Sequence, residues 1–385
     1  MKRQIAFYRN KLLQDGSAID QGLALLAQDD GIISSGPDDL CQLGAAVLTR
    51  LGGCALILAR PPLPISEWLI AHAGSADTLI PPDSETRTFL HDIPILRRDE
   101  FRSDPVAALT ARLGQRKGVL VEGIGLVAVG PLTLEQAYVN LSSLFHALFV
   151  KTLHDLLLQP CGPQEQALLA AVRAWTTPLT LAGLAFCDRA DLNGNTQIAH
   201  EMERVGRYTV EQRLVDSFFG NISCRDDQQI FISQTAASLD ALSGCIDPVP
   251  FDNSTTCGIT ASSELLTHRR IYEQTDARTI LHGHPKFAVV LSMHCATRDC
   301  AIDDCWRDCP QVRDCVGTPI VAGEVGAGGL ADKVVPVIAN SGAAIVYGHG
   351  VFTIGHHDFA EAFTKLLQIE QACRDEYFRR VDANS

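Results

Sequence analysis

The 385-residue chain lacks the features that mark several large classes of protein. It has no excess of basic residues, since its formal net charge is −13 at pH 7, whereas proteins that bind phosphate backbones carry clustered Lys and Arg. No stretch reaches the roughly 18 uninterrupted apolar residues of a membrane-spanning helix, and residues 1–9 lack the apolar run of a signal peptide. We therefore expect a soluble, cytoplasmic protein with neither nucleic acid nor a membrane as a partner.

The length of the chain predicts two domains, because single hydrophobic cores stop growing at about 250–300 residues. The hydrophobic fraction of 46% is enough for two cores. We place the first domain at residues 1–163, a connector at 164–192 and the second domain at 193–385, because prolines and a glycine at 160–163 end a helix. Apolar residues at helical spacing predict that the first domain opens with a helix over residues 4–36.

Two histidines, His282 and His284, follow a segment with the pattern of a β-strand. Alternate residues of a strand point to the same side, so both imidazoles can face one metal ion. A third candidate ligand is His349, which lies between two glycines in a β-branched, apolar run, and Glu264 could supply a carboxylate. Three imidazoles with an open fourth position suit a catalytic divalent metal. The alternative is that these are unrelated members of the twelve histidines in the chain.

Two charged side chains near these histidines each allow two interpretations. Glu264 follows Ser262 and Ser263 and precedes a predicted helix over residues 265–273, so it could be an N-terminal helix carboxylate, an acid/base group, or both. An acid/base role leads us to expect that burial raises its pKa. Lys286 follows the histidine pair and could contact a substrate anion or be an ordinary surface lysine.

Two segments of the chain recur in the same order. Residues 88–94 share the frame of residues 279–285, and residues 118–130 match residues 343–355, with a predicted helix after each of the latter two. Self-similarity of this kind indicates related domains. The two offsets, 191 and 225 residues, place extra chain between the motifs of the second copy, and this chain coincides with a cysteine-rich segment, residues 294–316.

The same alignment predicts that the first domain has no metal site. It gives one of the three histidines a counterpart, His91, whereas Ile93 and Ile124 occupy the other two positions. Apolar side chains cannot ligate a metal. We therefore expect the first domain to be a structural copy.

The thirteen cysteines do not have the pattern of a disulfide framework, because they are odd in number and unevenly spread. Five of them lie in the cysteine-rich segment: Cys295, Cys300, Cys305, Cys309 and Cys315. Their spacings fit neither the Cys-x2-Cys pairs of zinc ribbons nor the tight run of bacterial ferredoxins. One interpretation is a second metal site; the other is a surface loop with free thiols or local disulfides.

The motifs of the second half resemble those of the class II aldolase/adducin family. They are a Gly-Asn turn entering a strand at residues 220–225, Ser-Ser-Glu at 262–264, His-Gly-His at 282–284 and Gly-His-Gly at 348–350. The resemblance covers the chain from Ile198 onward, and the first half only through the repeat. It implies an α/β fold in three layers, α/β/α, around a mostly antiparallel central sheet, here duplicated.

The resemblance also implies a site and a mode of assembly. The three metal ligands would be His282, His284 and His349, holding Zn2+ or another divalent metal such as Mn2+, Co2+ or Fe2+. The family's acid/base carboxylate corresponds to Glu264, and its substrate-anion pocket to Asn221 and the serine pair before Glu264. Members of the family usually form ring-shaped tetramers, so a fused pair of domains predicts a homo-oligomer, a dimer of two-domain chains that forms a pseudo-tetramer.

One turn departs from the family's pattern. After the second strand of the domain the family usually has Thr-Pro-Ser-Gly or Thr-Pro-Thr-Gly, whose backbone helps to hold phosphate, and here residues 233–238 contain neither proline nor glycine. Glycine lets backbone amides approach a phosphate closely. Its absence favours a carboxylate or an unphosphorylated carbonyl compound over a sugar phosphate.

From these features we expect a divalent-metal-dependent carbon–carbon lyase, an aldolase or decarboxylase that acts on a small hydroxy-carbonyl or hydroxy-acid compound through a metal-stabilised enediolate. One alternative is an enzyme like the sugar-phosphate 4-epimerases, which break and remake a carbon–carbon bond on the same scaffold. Another is a non-enzymatic adducin-like binding domain. The presence of all three histidines and Glu264 favours the enzyme.

Overall fold

The computed structural model of the protein describes residues 1–178, 180–188, 192–216, 218–295, 297, 300–302, 304–323 and 327–383. It divides into two compact units: unit 1 spans Met1–Thr176 and unit 2 begins at Thr177. The predicted connector, residues 164–192, is thus divided between the two units, and its residues 179 and 189–191 lie outside the described ones.

Unit 1 is a mixed sheet with helices on both faces. Its strands are β1 (Leu23–Gln28), β2 (Ile32–Ser35), β3 (Ala55–Ala59), β4 (Thr78–Leu79), β5 (Ile93–Leu96), β6 (Gly118–Val121) and β7 (Gly125–Gly130). Its helices are α1 (Lys2–Gln14), α2 (Asp38–Leu51), α3 (Ile65–His72), α4 (Ser84–Leu90), α5 (Arg98–Ser103), α6 (Pro105–Leu113), α7 (Leu134–Leu158) and α8 (Pro163–Trp175). The strand order is β2-β1-β3-β7-β6-β5-β4, with a parallel β5–β6 pair and antiparallel pairs elsewhere.

The long helix α7 forms the core of unit 1. It is the one described helix whose length and apolar composition would allow it to cross a membrane, but 78% of that apolar stretch is buried within the protein. Its Leu144 side chain lies so close to Gly118 of β6 that a Cβ there would meet it at 2.2 Å. The helix therefore packs directly on the sheet.

The predicted helix over residues 4–36 is wrong beyond its first third. The helix α1 ends at Gln14, and the chain then forms β1 and β2. Strand β1 has the sequence Leu-Ala-Leu-Leu-Ala-Gln, and five of its six residues are buried. A strand covered on both faces has a continuous apolar run that periodicity cannot distinguish from a buried helix.

Unit 2 has the same kind of architecture. Its strands are β8 (Asn221–Arg225), β9 (Gln229–Ser233), β10 (Ile246–Pro250), β11 (Thr279–Gly283), β12 (Arg313–Cys315), β13 (Thr318–Val321), β14 (Ala343–Val346) and β15 (Gly350–Gly355). Its helices are α9 (Asn195–Glu211), α10 (Leu265–Gln274), α11 (Lys286–Met293), α12 (Cys305–Asp308), α13 (Ala327–Ser341) and α14 (Phe359–Ala383). The sheet order is β10-β9-β8-β11-β15-β14-β13-β12, parallel at β13–β14 and antiparallel at the other pairs.

The two faces of β11 meet different helices. Ile280 belongs to a buried cluster that includes Ile271 of α10 and Val334 of α13. On the opposite face, Gly283 lies against Leu366 of α14. The fold is therefore α/β with helical layers on both sides of a mostly antiparallel sheet, as the sequence predicted.

The sheet of unit 2 repeats the order of the sheet of unit 1. On one side β3 is flanked by β1 and β2, and β11 by β8, β9 and one additional edge strand, β10. On the other side each has four strands, β7-β6-β5-β4 or β15-β14-β13-β12. The parallel pair stands at the same place in both sheets. The registers agree as well, because Ala55 pairs with Gly130 in unit 1 and Thr279 pairs with Gly355 in unit 2.

This order corrects one alignment made from the sequence. Residues 88–94 contain the end of α4 and the start of β5, so they do not correspond to residues 279–285, which contain β11. His91 is an exposed residue at the C-terminal end of α4, with a φ of 66°. The two segments share a short letter pattern but not a backbone conformation.

The register gives different counterparts for the candidate ligands. They are Leu58 for His282, Arg60 for His284 and Ile124 for His349. Two of these three side chains are apolar and the third is a cation, and none of the three is a metal ligand. The positions of unit 1 that correspond to the histidines thus cannot hold a divalent ion.

The same comparison shows that residues 294–316 are not an insertion. In unit 1, β3 begins at Ala55 and β6 at Gly118; in unit 2, β11 begins at Thr279 and β14 at Ala343. The two connections are equal in length to within one residue. The cysteine-rich segment therefore replaces chain that unit 1 also has.

A buried carboxylate from α14 holds the start of α11, the helix that follows the histidine pair. The backbone N–H groups of Phe287 and Ala288 donate to the two carboxylate oxygens of Glu370, each at 3.0 Å. The first amides of a helix have no acceptor within the helix, and Glu370 supplies one. Burial raises the pKa of Glu370 to about 7, despite these two hydrogen bonds and the nearby Lys286 and Arg374.

This pKa predicts a pH dependence of stability. The ordinary pKa is 4.5, so the folded state binds the proton more tightly, and stability falls as pH rises from about 4.5 through about 7. Replacing Glu370→Gln removes this titration. The loss in free energy of unfolding between pH 5 and pH 8, measured by urea denaturation, should be smaller in the variant by roughly 2 kcal/mol. An unchanged pH dependence would contradict the assignment.

Candidate metal centre

The strand β11 and the residue that follows it place His282 and His284 on one side of the sheet. Both side chains are buried, and their Nε2 atoms lie 3.0 Å apart. His349 comes from the turn between β14 and β15, and its ring centroid is 5.1 Å from that of His282 and 5.0 Å from that of His284. The structure thus brings together the three histidines that the sequence singled out.

The donor atoms of the three histidines converge on one point. One potential ligand atom from each lies within 4.8 Å of those of the other two, and among the described residues this is the one such group of three or more His, Cys, Asp or Glu side chains. A single ion could be reached by all three. The residues therefore fit a divalent metal with imidazole ligands.

Two contacts fix the His282 ring. Its Nδ1 lies 3.1 Å from the carbonyl oxygen of Val351, so a proton placed on Nδ1 leaves Nε2 as the acceptor that faces the other histidines. Phe352 stacks on the ring with centroids 3.9 Å apart. Burial lowers the pKa of His282 to about 4, although Glu264 opposes this. The imidazole is therefore neutral near pH 7, which is the form that binds metals.

Two glycines let the backbone approach the histidine pair. A Cβ at Gly350 would meet Cε1 of His282 at 2.8 Å and Cδ2 of His284 at 3.0 Å. A Cβ at Gly220, whose φ is +75°, would meet the carbonyl oxygen of His282 at 2.4 Å. Neither position accepts a side chain without moving the histidine pair.

Glu264 lies at the edge of the histidine group. It is the residue before α10, as the helix-cap interpretation predicted, and its carboxylate oxygens are 3.5 Å from Nε2 of His282 and 3.4 Å from Nε2 of His349. The side-chain amide of Asn221 donates to Oε2 at 2.7 Å. Glu264 thus occupies the N-cap position, but its side chain makes no capping hydrogen bond and faces the histidines instead; its acid/base role stays a prediction.

The expected rise in the pKa of Glu264 is wrong. Burial alone would raise the pKa, but the neighbouring His282 and His349 and the hydrogen bond from Asn221 outweigh it, so the pKa lies below its usual value. The sequence did not show that these stabilising groups would surround the carboxylate. Glu264 is consequently ionised at neutral pH.

The other residues predicted to bind substrate do not all lie in comparable surroundings. Asn221 is buried opposite His282 in the β8–β11 pair, and Ser262 is buried with its hydroxyl accepting the N–H of Glu264 at 3.3 Å. Ser263 is exposed. Lys286 is buried, with its ammonium 3.3 Å from both carboxylate oxygens of a single aspartate, Asp216. This ion pair gives Lys286 a structural partner, and we no longer assign it to substrate binding.

Sequence reasoning missed a buried polar network behind the site. The Ser223 hydroxyl lies 2.6 Å from Nδ1 of His268 and 2.7 Å from the Tyr272 hydroxyl. Burial lowers the pKa of His268 to about 3, against the opposing charge of Glu264. The signal was present, since His268 and Tyr272 follow Glu264 at steps of four residues and so share one face of α10.

The five cysteines of residues 294–316 do not form one group. Cys315 is buried in β12, with its sulfur 3.9 Å from that of Cys373 in α14. The other four lie near α12 and are exposed or partly exposed. A five-cysteine site is therefore wrong, and Cys315 belongs to a separate buried pair.

An α/β sheet that gathers three imidazoles and a carboxylate beside one strand end has the make-up of a divalent-metal enzyme site. Residues 200–377 match a family model, the Class II Aldolase and Adducin N-terminal domain. This part of unit 2 belongs to the class II aldolase and adducin family. No curated protein matches the chain.

Solved structures similar to part of the chain include three aldolases of low identity. L-fuculose-1-phosphate aldolase from Thermus thermophilus is 23% identical, with 46% of this chain and 92% of that chain covered and a TM-score of 0.38. A sugar-phosphate aldolase from Thermotoga maritima is 18% identical, with coverage of 48% and 94% and a TM-score of 0.36. L-fuculose 1-phosphate aldolase from Glaciozyma antarctica is 14% identical, with coverage of 54% and 80% and a TM-score of 0.36.

Gly220 provides a test of how the backbone holds the histidine pair. Gly220→Ala should lower stability by roughly 1–3 kcal/mol more than Gly244→Ala. Both glycines have a φ near +75°, but a Cβ at Gly244 meets nothing within 4 Å, so the difference isolates the clash with His282. The measurements are urea unfolding and Zn2+ affinity, and we expect Gly220→Ala to weaken the latter by about tenfold or more. Equal effects of the two changes would show that the contact is unimportant.

Proposed function

We propose that unit 2 is a divalent-metal-dependent carbon–carbon lyase, an aldolase or decarboxylase for small hydroxy-carbonyl or hydroxy-acid compounds. The observation that carries this proposal is the convergence of His282, His284 and His349 beside the ionised Glu264. Zn2+ is the ion that best suits three imidazoles, with Mn2+, Co2+ or Fe2+ as alternatives. When bound, such an ion polarises the carbonyl of the substrate and stabilises negative charge on its oxygen.

Glu264 is the group that moves a proton. Because its pKa is lowered, it is a carboxylate at neutral pH and can accept the proton of a substrate hydroxyl, which is the proton that leaves when an aldol is cleaved. The hydrogen bond from Asn221 fixes one carboxylate oxygen. The proton returns in the reverse, bond-forming direction.

The environment of Asn221 favours a substrate that carries a hydroxyl group. Its amide nitrogen faces Glu264, so the opposite atom, Oδ1, is an acceptor; it is buried and has no hydrogen-bond partner among the described residues. A buried acceptor without a partner costs about 1–3 kcal/mol. A substrate hydroxyl can donate to it, whereas a phosphate oxygen cannot.

The hydrogen bonding of the turn after β9 favours a substrate without a phosphate group. Its backbone N–H groups already donate within the chain: Gln234 to Cys245, Thr235 to Thr260, and Ala237 to Gln234. Ala236 has a φ of 58°, a conformation that favours glycine, and its Cβ adds bulk to the turn. Three of the amides that a phosphate would need are therefore engaged.

The proposal predicts separable effects of two substitutions. Glu264→Gln should retain bound metal and lower the rate of aldol cleavage by about 100- to 10,000-fold, because the proton acceptor is lost. His349→Ala should lose metal and activity together, whereas His357→Ala, which changes an exposed histidine, should retain both. Metal content is measured by mass spectrometry of the purified protein, and activity on paired phosphorylated and unphosphorylated hydroxy-ketones and hydroxy-acids.

We expect a higher kcat/KM for the unphosphorylated member of each substrate pair. Protein that holds no divalent metal after loading, or activity that survives complete removal of the metal by a chelator, would rule out the lyase proposal. A preference for phosphorylated substrates would leave the lyase in place and overturn the assignment of substrate class.

We also propose that unit 1 arose as a copy of unit 2 that lacks the ligand set. The shared strand order and register support this duplication, as do Leu58 and Ile124 at the ligand positions. The predicted dimer of two-domain chains follows from it. Light scattering should give a mass of two chains, and a monodisperse single chain would contradict that assembly.

A further inference from the structure

Four thiols lie together around α12. Cys305 begins this helical turn and Cys309 follows it, so the two are four residues apart and share one face. The thiols of Cys300 and Cys305 are hydrogen-bonded to each other, and Cys295 and Cys309 are close enough to Cys305 to interact with its charge. None of the four is in a disulfide.

A cation and an aromatic ring border this cluster. The Arg313 guanidinium donates to the carbonyl oxygens of Ser292 at 2.7 Å and His294 at 3.1 Å, and it lies 5.3 Å from the ring centroid of Tyr347. Arg313 also hydrogen-bonds to the side chain of Cys295. Hydrogen bonds with Thr297, and to a smaller extent Arg313, lower the pKa of Cys295, whereas burial and the neighbouring thiols raise the pKa of Cys305. The cation thus favours the ionised form of Cys295.

We propose that Cys295, Cys300, Cys305 and Cys309 bind a Zn2+ ion as four thiolates, separate from the histidine site. Four sulfur ligands select zinc or an iron–sulfur cluster. The spacing of these cysteines matches neither zinc ribbons nor ferredoxins, and the absorption spectrum distinguishes the two. On binding, each thiol releases its proton to solvent, and the resulting tetrathiolate complex carries two negative charges. Arg313 lies where it can offset part of that charge.

Binding requires the thiols to turn inward. Among the described residues, the histidines are the one group of three or more potential ligands whose atoms converge, so the four sulfurs do not yet lie at ligand distances from one point. All four side chains are exposed or partly exposed. Rotation about their side-chain bonds is therefore not prevented by packing.

The fold itself does not require these cysteines. The equivalent connection of unit 1, residues 60–117, has the same length within one residue and contains no cysteine. Cys315, by contrast, faces Cys373 in the interior and is excluded from the set. The four thiols are thus a feature of unit 2 that packing does not explain.

The proposed ion would brace the turn that carries a candidate ligand. Tyr347 is two residues before His349; it interacts with the charges of Cys295, Cys305 and Cys309, and its hydroxyl donates to the carbonyl oxygen of Met293 at 3.4 Å. A metal that fixes the cysteines would hold the segment next to Tyr347. We assign it a structural role.

The test is a count of bound metal in reduced, zinc-loaded full-length protein. Wild type should hold two equivalents of Zn2+ per chain. The double variants Cys300→Ser/Cys305→Ser and His282→Ala/His284→Ala should each hold one, and Cys41→Ser/Cys54→Ser, which changes two partly exposed cysteines of unit 1, should hold two. With Co2+ in place of Zn2+, the sulfur-to-cobalt charge-transfer absorption should be lost only in the Cys300/Cys305 variant.

A second measurement needs no substitution. Zinc should protect Cys295, Cys300, Cys305 and Cys309 from alkylation by iodoacetamide in wild-type protein, as read by peptide mass spectrometry. The proposal would be overturned if wild-type protein held a single equivalent of Zn2+ and only the histidine substitutions removed it. Cysteines that zinc does not protect from alkylation would also overturn it, as would the absorption spectrum of an iron–sulfur cluster. If only the cysteine ion is bound, this site stands and the proposed lyase fails.

Discussion

The pairing of β11 with β8 on one side and β15 on the other is the constraint on which the candidate site depends. It sets Asn221 opposite His282 and brings the Val351 carbonyl to the far nitrogen of that ring. A shift of this register by one residue would turn the histidine pair toward α14, because alternate side chains of a strand face opposite sides. Register therefore decides whether the ligand set exists.

The convergence of the candidate ligands was easier to predict than the bounds of the strands and helices. A strand places residues i and i+2 on one side whatever surrounds it, so the His282 and His284 pair could be recognised from spacing alone. The motif order then pointed to His349 and Glu264. The lowered pKa of Glu264 could not be predicted, because it depends largely on His282, His349 and Asn221, which only tertiary structure brings within reach.

The internal repeat shows where sequence comparison fails. The match of residues 118–130 with 343–355 was correct because both are hairpins of two short strands, β6–β7 and β14–β15. The match at residues 88–94 was wrong because a few shared letters outweighed the absence of a shared strand. The true counterpart of β11 is β3, where Leu58 replaces His282. Because the histidine is absent from β3, the two strands share no motif by which the sequences could be aligned.

The close approach of the Gly350 backbone to the histidine pair limits where amino-acid substitutions can occur in the site. A Cβ there would meet both rings of the histidine pair, so any side chain would displace these candidate ligands. Sequence variation near the site is therefore better accommodated at its rim, where Ser263 is exposed and the turn at Ala236 already differs from the family pattern. Changes at the rim would leave the arrangement of His282 and His284 unaltered, so this domain can diverge in sequence around a fixed histidine pair.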